Sequence, residues 1–167
     1  MTLQELNQLS TDQLRLELHR CCGSVAWVER MVSCFPVKDQ AQLLEQSSRQ
    51  WKLCNPEEWK EAFAHHPKIG DRDSLARKFA STAQWAAGEQ QGVATATEEV
   101  IGELADGNKA YEEKFGYIFI VCATGKSAGD MLQLLKSRLH HDAETEIRIA
   151  AGEQDKITAL RLQKLLS

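Results

Sequence analysis

Apolar residues recur at three- and four-residue spacing along most of the chain, with polar residues between them. This pattern is typical of amphipathic helices that turn one face to a core. The first periodic stretch follows Ser10, which has capping-box spacing with Gln13, and Gly23 stands where that helix would end. Three further stretches also follow good capping residues, namely Ser24, Asp39 and Asn55. The chain is therefore predicted to be mainly helical.

The second half of the chain carries the same start and stop signals. In chain order the predicted caps are Asp71 or Asp73, Ser81 or Thr82, Thr97, Ser127 and Asp142. The helix that begins at Thr97 is predicted to be long and to stop at Gly116. The helix after Asp142 is predicted to run to the C-terminus.

One run breaks the helical pattern, because residues 117–123 are almost all β-branched or aromatic and lie between two glycines. We expect a short buried extended segment there, over about residues 117–124. A single extended segment has no sheet to pair with, so its backbone groups must bond to something else, and a ligand is one candidate. The predicted fold class is all-α: a single compact multi-helix domain over residues 1–167 with this one extended segment.

Composition and charge narrow the range of partners. Hydrophobic residues make up 43% of the chain and charged residues 26%, the formal charge is −4 and the isoelectric point is near 5.8. These values argue against nucleic acid or an anionic membrane as partner, since both favour a basic surface. No apolar run is long enough for a signal peptide or a membrane span. A small-molecule partner is expected instead.

The five cysteines contain no C-x-x-C pair and are odd in number. This count fits neither a disulfide framework nor a zinc knuckle. The simplest setting for such thiols is a reducing cytoplasm.

The first candidate for chemistry is His66, which directly precedes Pro67. A residue before proline is kept out of the helical region, so the ring should be held in a fixed turn. Its ordinary pKa near neutrality suits general acid or base catalysis. The alternative is an ordinary loop histidine before a turn proline.

Arg161 is the second candidate, because it falls inside the apolar stripe of the last predicted helix, midway between Ile157 and Leu165. A guanidinium in that position needs a partner or a route to water. It can bind a planar anionic or ureido-like ligand through its fork of donors. Alternatively, its side chain extends past the helix to the surface.

Three further features of the sequence are weaker signals of function. Glu89 could orient an imidazole and raise its basicity, although a helical glutamate is usually solvated. Cys122 could act as a nucleophile with His66, but a cysteine among apolar residues is usually an inert core residue. The pairs His65-His66 and His140-His141 are adjacent and not four residues apart, so no metal site is expected.

Four separated motifs occur in an order that resembles the 2-oxo-4-hydroxy-4-carboxy-5-ureidoimidazoline (OHCU) decarboxylase family, over about residues 5 to 165. They are His66-Pro67-Lys68-Ile69-Gly70; the stretch from Trp85 to Gly92 with Glu89-Gln90; the run Tyr111-Glu112-Glu113-Lys114-Phe115-Gly116 leading into Phe119-Ile120-Val121-Cys122-Ala123-Thr124-Gly125; and Glu153-x-x-Lys156-Ile157 followed by Leu160-Arg161-Leu162.

The resemblance implies an all-helical, cofactor-free and usually dimeric enzyme. By the resemblance, His66 is the catalytic acid/base, Glu89 is a second catalytic residue that orients His66, and Arg161 holds the substrate. The substrate-binding residues that it implies are Pro67, Ala86, Ala87, Gly88, Glu89, Gln90, Phe119, Ile120, Val121, Cys122, Ala123 and Arg161. Many members carry serine where this chain has Ala86, so backbone or water is expected to replace the contact of that hydroxyl.

The implied reaction is the decarboxylation of OHCU to (S)-allantoin in urate catabolism. Two other functions compete with it. One is a non-catalytic helical interaction module in which His66 and Arg161 only stabilise the core. The other is a cofactor-free hydrolase or isomerase that acts on a related ureido compound with the same residues.

Overall fold

The computed structural model describes residues 1–67, 72–78 and 91–167. Within these ranges every regular element is a helix and no strand occurs, which confirms the all-α prediction. The helices are α1 Leu3–Gln8, α2 Thr11–Cys21, α3 Val25–Val32, α4 Gln40–Lys52, α5 Pro56–Ala64, α6 Arg72–Lys78, α7 Gln91–Phe115, α8 Ala128–Arg138 and α9 Ala143–Leu165. The helix predicted beyond Ser81 or Thr82 lies outside the described residues, as does Asp71. Across the parts of the chain that the structure describes, no helix is long and apolar enough to cross a membrane.

The helices group into two compact units. The first unit comprises Met1–His66 and Ile147–Ser167, and the second comprises Pro67–Glu146. Helix α9 therefore begins in the second unit and continues in the first. A single domain over residues 1–167 stays a prediction.

Most helices begin where their capping residues predict. Full capping boxes, in which the cap and the third helical residue bond reciprocally, open α2 at Ser10, α5 at Asn55 and α8 at Ser127. Ser24 and Asp39 accept hydrogen bonds from the first turns of α3 and α4 in the same way. Each cap satisfies amide groups that a helix start would leave without a partner.

Two helix starts differ from expectation. The short helix α1 was not predicted, although Thr2 and Glu5 form a capping box of their own. Helix α7 begins at Gln91, so the predicted start at Thr97 was wrong by six residues. Ala94 and Ala96 are strong helix formers, and they favour continuation of the helix through a residue that would otherwise make a good cap. The predicted stop at Gly116 is confirmed by its φ of +82°.

The first unit is held together by a core in which tryptophan packs and also donates hydrogen bonds. Trp27 is fully buried, and its indole N–H donates to Ser47 O at 3.1 Å. Trp51 on α4 donates to Ala151 O on α9 at 2.8 Å. Because buried indole groups need an acceptor, these bonds fix α9 against α4. This contact brings the second half of α9 into the first unit.

The non-helical run of the second unit lies between Gly116 and Gly125, both of which have positive φ. Its backbone carbonyls bond to side chains: Ile120 O accepts from Arg138 Nη1 at 2.6 Å, and Cys122 O accepts from Lys126 Nζ at 2.7 Å. The expectation that this segment must find partners outside a sheet is thus confirmed, and for these two carbonyls the partners are side chains.

The second unit also contains a buried ion pair. Arg138 Nε lies 2.6 Å from Glu146 Oε1 and 3.1 Å from Oε2, and the two residues are 4% and 0% exposed. The guanidinium also lies 4.5 Å from the ring centroid of Phe119. One arginine therefore bonds both a carboxylate and the non-helical segment, which links α8, α9 and residue 120.

Candidate active site

His66 lies in the turn that follows α5, as its position before Pro67 predicts. The helix ends at Ala64, and the amide of His66 donates to Phe63 O at 3.2 Å. The ring is half-buried, and its Nε2 is hydrogen-bonded to Gln154 Oε1. The imidazole is thus held by a residue from a helix that is distant in sequence.

Gln154, on α9, is the described hydrogen-bond partner of the catalytic candidate, and sequence reasoning missed it. It is 1% exposed, and its Nε2 donates to Thr158 Oγ1 at 3.0 Å. The signal that could have revealed it is its position four residues after Ala150 and four before Thr158, on the buried stripe of the helix. A polar residue on such a stripe needs hydrogen-bond partners, which makes it informative.

Arg161 lies on the same helix, two turns beyond Gln154, and is half-buried. Its Nη1 donates to Cys21 O, at the end of α2, at 3.2 Å. A guanidinium has five N–H donors, and this is the one hydrogen bond that it makes to the described residues. The remaining donors can serve an anionic or carbonyl oxygen, as the functional interpretation of Arg161 requires.

The surroundings of His66 favour its neutral form. Burial is the largest cause that lowers the pKa of His66 below its usual 6.5, and the neighbouring Arg161 and His65 also lower it. The hydrogen bond to Gln154 acts in the opposite direction and is the smaller effect. At neutral pH the imidazole is therefore uncharged and can accept a proton. Both residues belong to the first unit, and the Arg161 charge is near enough to contribute to the lowered pKa of His66.

Gly23 supports the turn that carries His66. A Cβ built on Gly23 would lie 2.5 Å from both Cβ and Cγ of His65, and its φ is not positive. Gly23 is predicted to end the preceding helix, but the structure gives a second reason for a glycine at this position. The backbone at residue 23 approaches the His65 side chain too closely for any side chain of its own.

Gly23→Ala is therefore expected to displace His65 and, with it, the neighbouring imidazole of His66. Overpacking of this kind costs about 1–3 kcal/mol of folding free energy. The free energy of unfolding, measured by urea denaturation, should fall by that amount. Gly152→Ala is the matched control, because nothing lies within 4 Å of a Cβ at that helical position. The control should be neutral or more stable by up to about 1 kcal/mol. Equal stability of the two variants would contradict the close approach.

The cysteines near this cluster are poor nucleophiles. Burial raises the pKa of Cys21 to about 11 and that of Cys22 to about 12, so both remain thiols at neutral pH. Cys122 is also buried, in the second unit. Among the described residues, the groups near His66 that can take part in chemistry are therefore its own imidazole and the Arg161 guanidinium.

The remaining predicted site residues are not tested by this geometry. Glu89 and the neighbouring Ala86, Ala87, Gly88 and Gln90 lie outside the described residues. Pro67 is exposed and begins the second unit. The run from Phe119 to Ala123 belongs to that second unit, and its role in substrate binding stays a prediction.

Most of this chain is similar in sequence to known proteins. The family model described as OHCU decarboxylase matches residues 7–163. The "Uric acid degradation bifunctional protein TTL" of Arabidopsis thaliana is 35% identical over 147 residues, which are 88% of this chain and 45% of that protein. The chain thus spans less than half of that relative. The "2-oxo-4-hydroxy-4-carboxy-5-ureidoimidazoline decarboxylase" of Halalkalicoccus jeotgali is 25% identical to this chain, and the match covers 99% of this chain and 92% of that protein.

Solved structures share this fold. A crystal structure of OHCU decarboxylase in the presence of (S)-allantoin matches with a TM-score of 0.69 and 34% identity, and the match covers 90% of this chain and 96% of that chain. A structure of (S)-allantoin synthase, at 16% identity and a TM-score of 0.71, shares the fold. Since the family model covers nearly the whole sequence and a solved member has the same architecture at 34% identity, this chain belongs to the OHCU decarboxylase family.

Proposed function

We propose that this chain decarboxylates 2-oxo-4-hydroxy-4-carboxy-5-ureidoimidazoline to (S)-allantoin and CO₂ during urate degradation. The observation that carries the proposal is the half-buried His66 imidazole, which is hydrogen-bonded to Gln154 and whose pKa is lowered by burial and by the nearby Arg161 guanidinium. Family membership and the names of the relatives supply the substrate. The cluster supplies a proton acceptor beside a fixed positive charge, which is what the loss of CO₂ from an anionic substrate requires.

The proposed reaction has its electron sink within the substrate. The carbon that loses CO₂ carries a hydroxyl group and lies next to an imine carbon. When the carbon–carboxylate bond breaks, its electron pair forms a double bond between the two ring carbons, and the imine nitrogen takes up a proton. The hydroxyl group then loses its proton to become a carbonyl group, and the former imine carbon gains one. The net change is the loss of CO₂ and the uptake of one proton, so no cofactor is needed.

In this proposal His66 performs the proton transfers. Its neutral ring accepts the hydroxyl proton and returns a proton to the former imine carbon from one face, so that a single enantiomer forms. A pKa below 6.5 keeps the base available at neutral pH and makes the resulting imidazolium a good donor. Glu89, by the resemblance, is the second catalytic residue of this proposal.

Arg161 is proposed to hold a carboxylate or carbonyl oxygen of the substrate. Arg161→Ala should lower kcat/KM by about 10²–10³-fold, through both a higher KM and a lower kcat, because a charge-assisted contact near the reacting carbon is lost. Arg161→Lys should recover only part of this loss, since a lysine lacks the planar fork of donors. Lys164→Ala removes an exposed cation from the same helix and is the control. Similar kinetics for the two alanine variants would contradict a substrate-holding role for Arg161.

The reaction itself is tested by generating the unstable substrate in situ, from urate with urate oxidase and hydroxyisourate hydrolase. Circular dichroism then follows the appearance of optically active allantoin with and without the protein. A fast, enantioselective signal is expected. Racemic conversion at the rate of the blank would overturn the proposal and favour the helical interaction module. Consumption of a different ureido compound would favour the hydrolase or isomerase.

A homodimer and a cytoplasmic setting are part of the same proposal. The dimer is supported by the resemblance to the family. The reducing setting is supported by the five cysteines, none of which forms a disulfide in the described parts of the chain.

A further inference from the structure

The hydrogen bonds behind His66 form a chain that reaches the protein interior. Nε2 of His66 bonds to Gln154 Oε1, and Gln154 Nε2 donates to Thr158 Oγ1 at 3.0 Å. Gln154 and Thr158 are 1% and 3% exposed, so water does not compete for these bonds. The arrangement of the amide group therefore decides which nitrogen of His66 carries the proton.

We propose that Gln154 is a positioning residue that holds His66 in the tautomer protonated at Nε2 and leaves Nδ1 as the proton-accepting atom. The amide oxygen faces the ring and can only accept, so the ring nitrogen that contacts it must donate. Thr158 supports this orientation of the amide because its hydroxyl accepts from the amide nitrogen.

The opposite orientation of the Gln154 amide would select the other tautomer of His66. With the amide nitrogen towards the ring, Nε2 would become the acceptor and Nδ1 would carry the proton. The lone pair of Nε2 would then be engaged by the amide N–H group, and Nδ1 would carry a proton. Neither nitrogen could accept a proton from the substrate, so the ring could not begin the reaction as a base. The inference rests on the proposed function for what Nδ1 does, whereas the tautomer itself is independent of any activity.

The Gln154 side chain is an uncharged amide, and this affects the pKa of His66. Within the described residues, the charged or titratable groups that act on His66 are Arg161 and His65, and both lower its pKa. His65 packs edge-on against the ring of His19, with their centroids 4.8 Å apart. A carboxylate in place of Gln154 would oppose these effects and favour the imidazolium. An amide fixes the ring through a hydrogen bond without adding a charge.

Nitrogen NMR of the protein labelled with ¹⁵N-histidine tests the tautomer without substrate. Two-bond proton–nitrogen correlations distinguish the two tautomers, and the His66 signals among the five histidines are assigned by their loss in His66→Gln. The expected result is protonation at Nε2 in the wild type at pH 8. Protonation at Nδ1 would overturn the proposal, whether or not the protein decarboxylates OHCU. Conversely, inactivity towards OHCU would overturn the proposed function and leave the NMR result standing.

Two variants of Gln154 separate positioning from a purely structural role. Gln154→Glu keeps an acceptor on the ring, so the tautomer should persist, the pKa of His66 should rise, and the acidic limb of kcat/KM should move to higher pH. Gln154→Met has a similar shape and no acceptor, so kcat should fall by about 10²-fold with little change in KM. Gln163→Met, at an exposed position of the same helix, is the control. An unchanged His66 titration in Gln154→Glu would overturn the proposal.

Discussion

His66→Gln is expected to abolish enantioselective decarboxylation, with a fall in kcat/KM of about 10³-fold or more, because general acid–base catalysis contributes about 10²–10⁴-fold. Glutamine keeps a polar group beside Gln154 but cannot take up a proton, so the variant removes the chemistry and retains the volume. The measurement is the appearance of circular dichroism from allantoin, with the substrate generated in situ. The far-ultraviolet spectrum should remain that of the wild type.

The control for this prediction is His140→Gln, which removes an exposed histidine from the other unit. It should retain wild-type kinetics. The wild-type rate should also fall as the pH drops through the lowered pKa of His66, because the imidazolium cannot act as a base. That acidic limb should be absent from the residual activity of His66→Gln. A variant that turns over at the wild-type rate would show that His66 is not the proton-transfer group.

Glu146→Leu is expected to destabilise the protein by about 3–5 kcal/mol, because it leaves the buried Arg138 guanidinium without its carboxylate. The double variant Arg138→Met with Glu146→Leu should recover much of this loss, since apolar residues of similar size remove both desolvated charges. Urea denaturation, followed by the helical circular dichroism signal, measures both effects. Incomplete recovery is expected from the lost hydrogen bond to Ile120 O.

An exposed ion pair of the same unit supplies the control. Lys136 Nζ lies 3.6 Å from Glu103 Oε2, and both side chains are more than half exposed. Glu103→Gln should change stability by less than about 1 kcal/mol, because solvent screens such pairs. If Glu146→Leu and Glu103→Gln were equally stable, burial of the Arg138–Glu146 pair would not be the reason that Glu146→Leu destabilises the protein.

Helix starts could be predicted from sequence because their signals are local. A capping box such as Ser10 with Gln13 needs only residues within one turn, and these boxes occur as expected. Thr97 is a good capping residue, yet it lies inside a helix that begins at Gln91. Capping preference is a property of a single residue, whereas the position at which a helix starts also depends on the helix propensity of the residues before it.

The site was predictable only in part, for a related reason. The turn at His66 follows from one adjacent proline, and the position of Arg161 follows from the periodicity of one helix. The bond from His66 to Gln154 spans 88 positions in sequence, so no local pattern predicts it. The buried pair of Arg138 with Glu146 was missed because charged residues on helices are usually solvated.

The close approach of Gly23 to His65 constrains how the two positions can change during evolution. A built Cβ at residue 23 meets the Cβ of His65 itself at 2.5 Å, so a smaller side chain at residue 65 would still collide unless it were glycine. Gly116 and Gly125 differ, because their positive φ values depend on the local backbone and nothing lies within 4 Å of a Cβ there. Positions 23 and 65 should therefore covary among homologues that keep this turn, with glycine at one or the other, whereas glycine at 116 and 125 should be retained independently of the rest of the sequence.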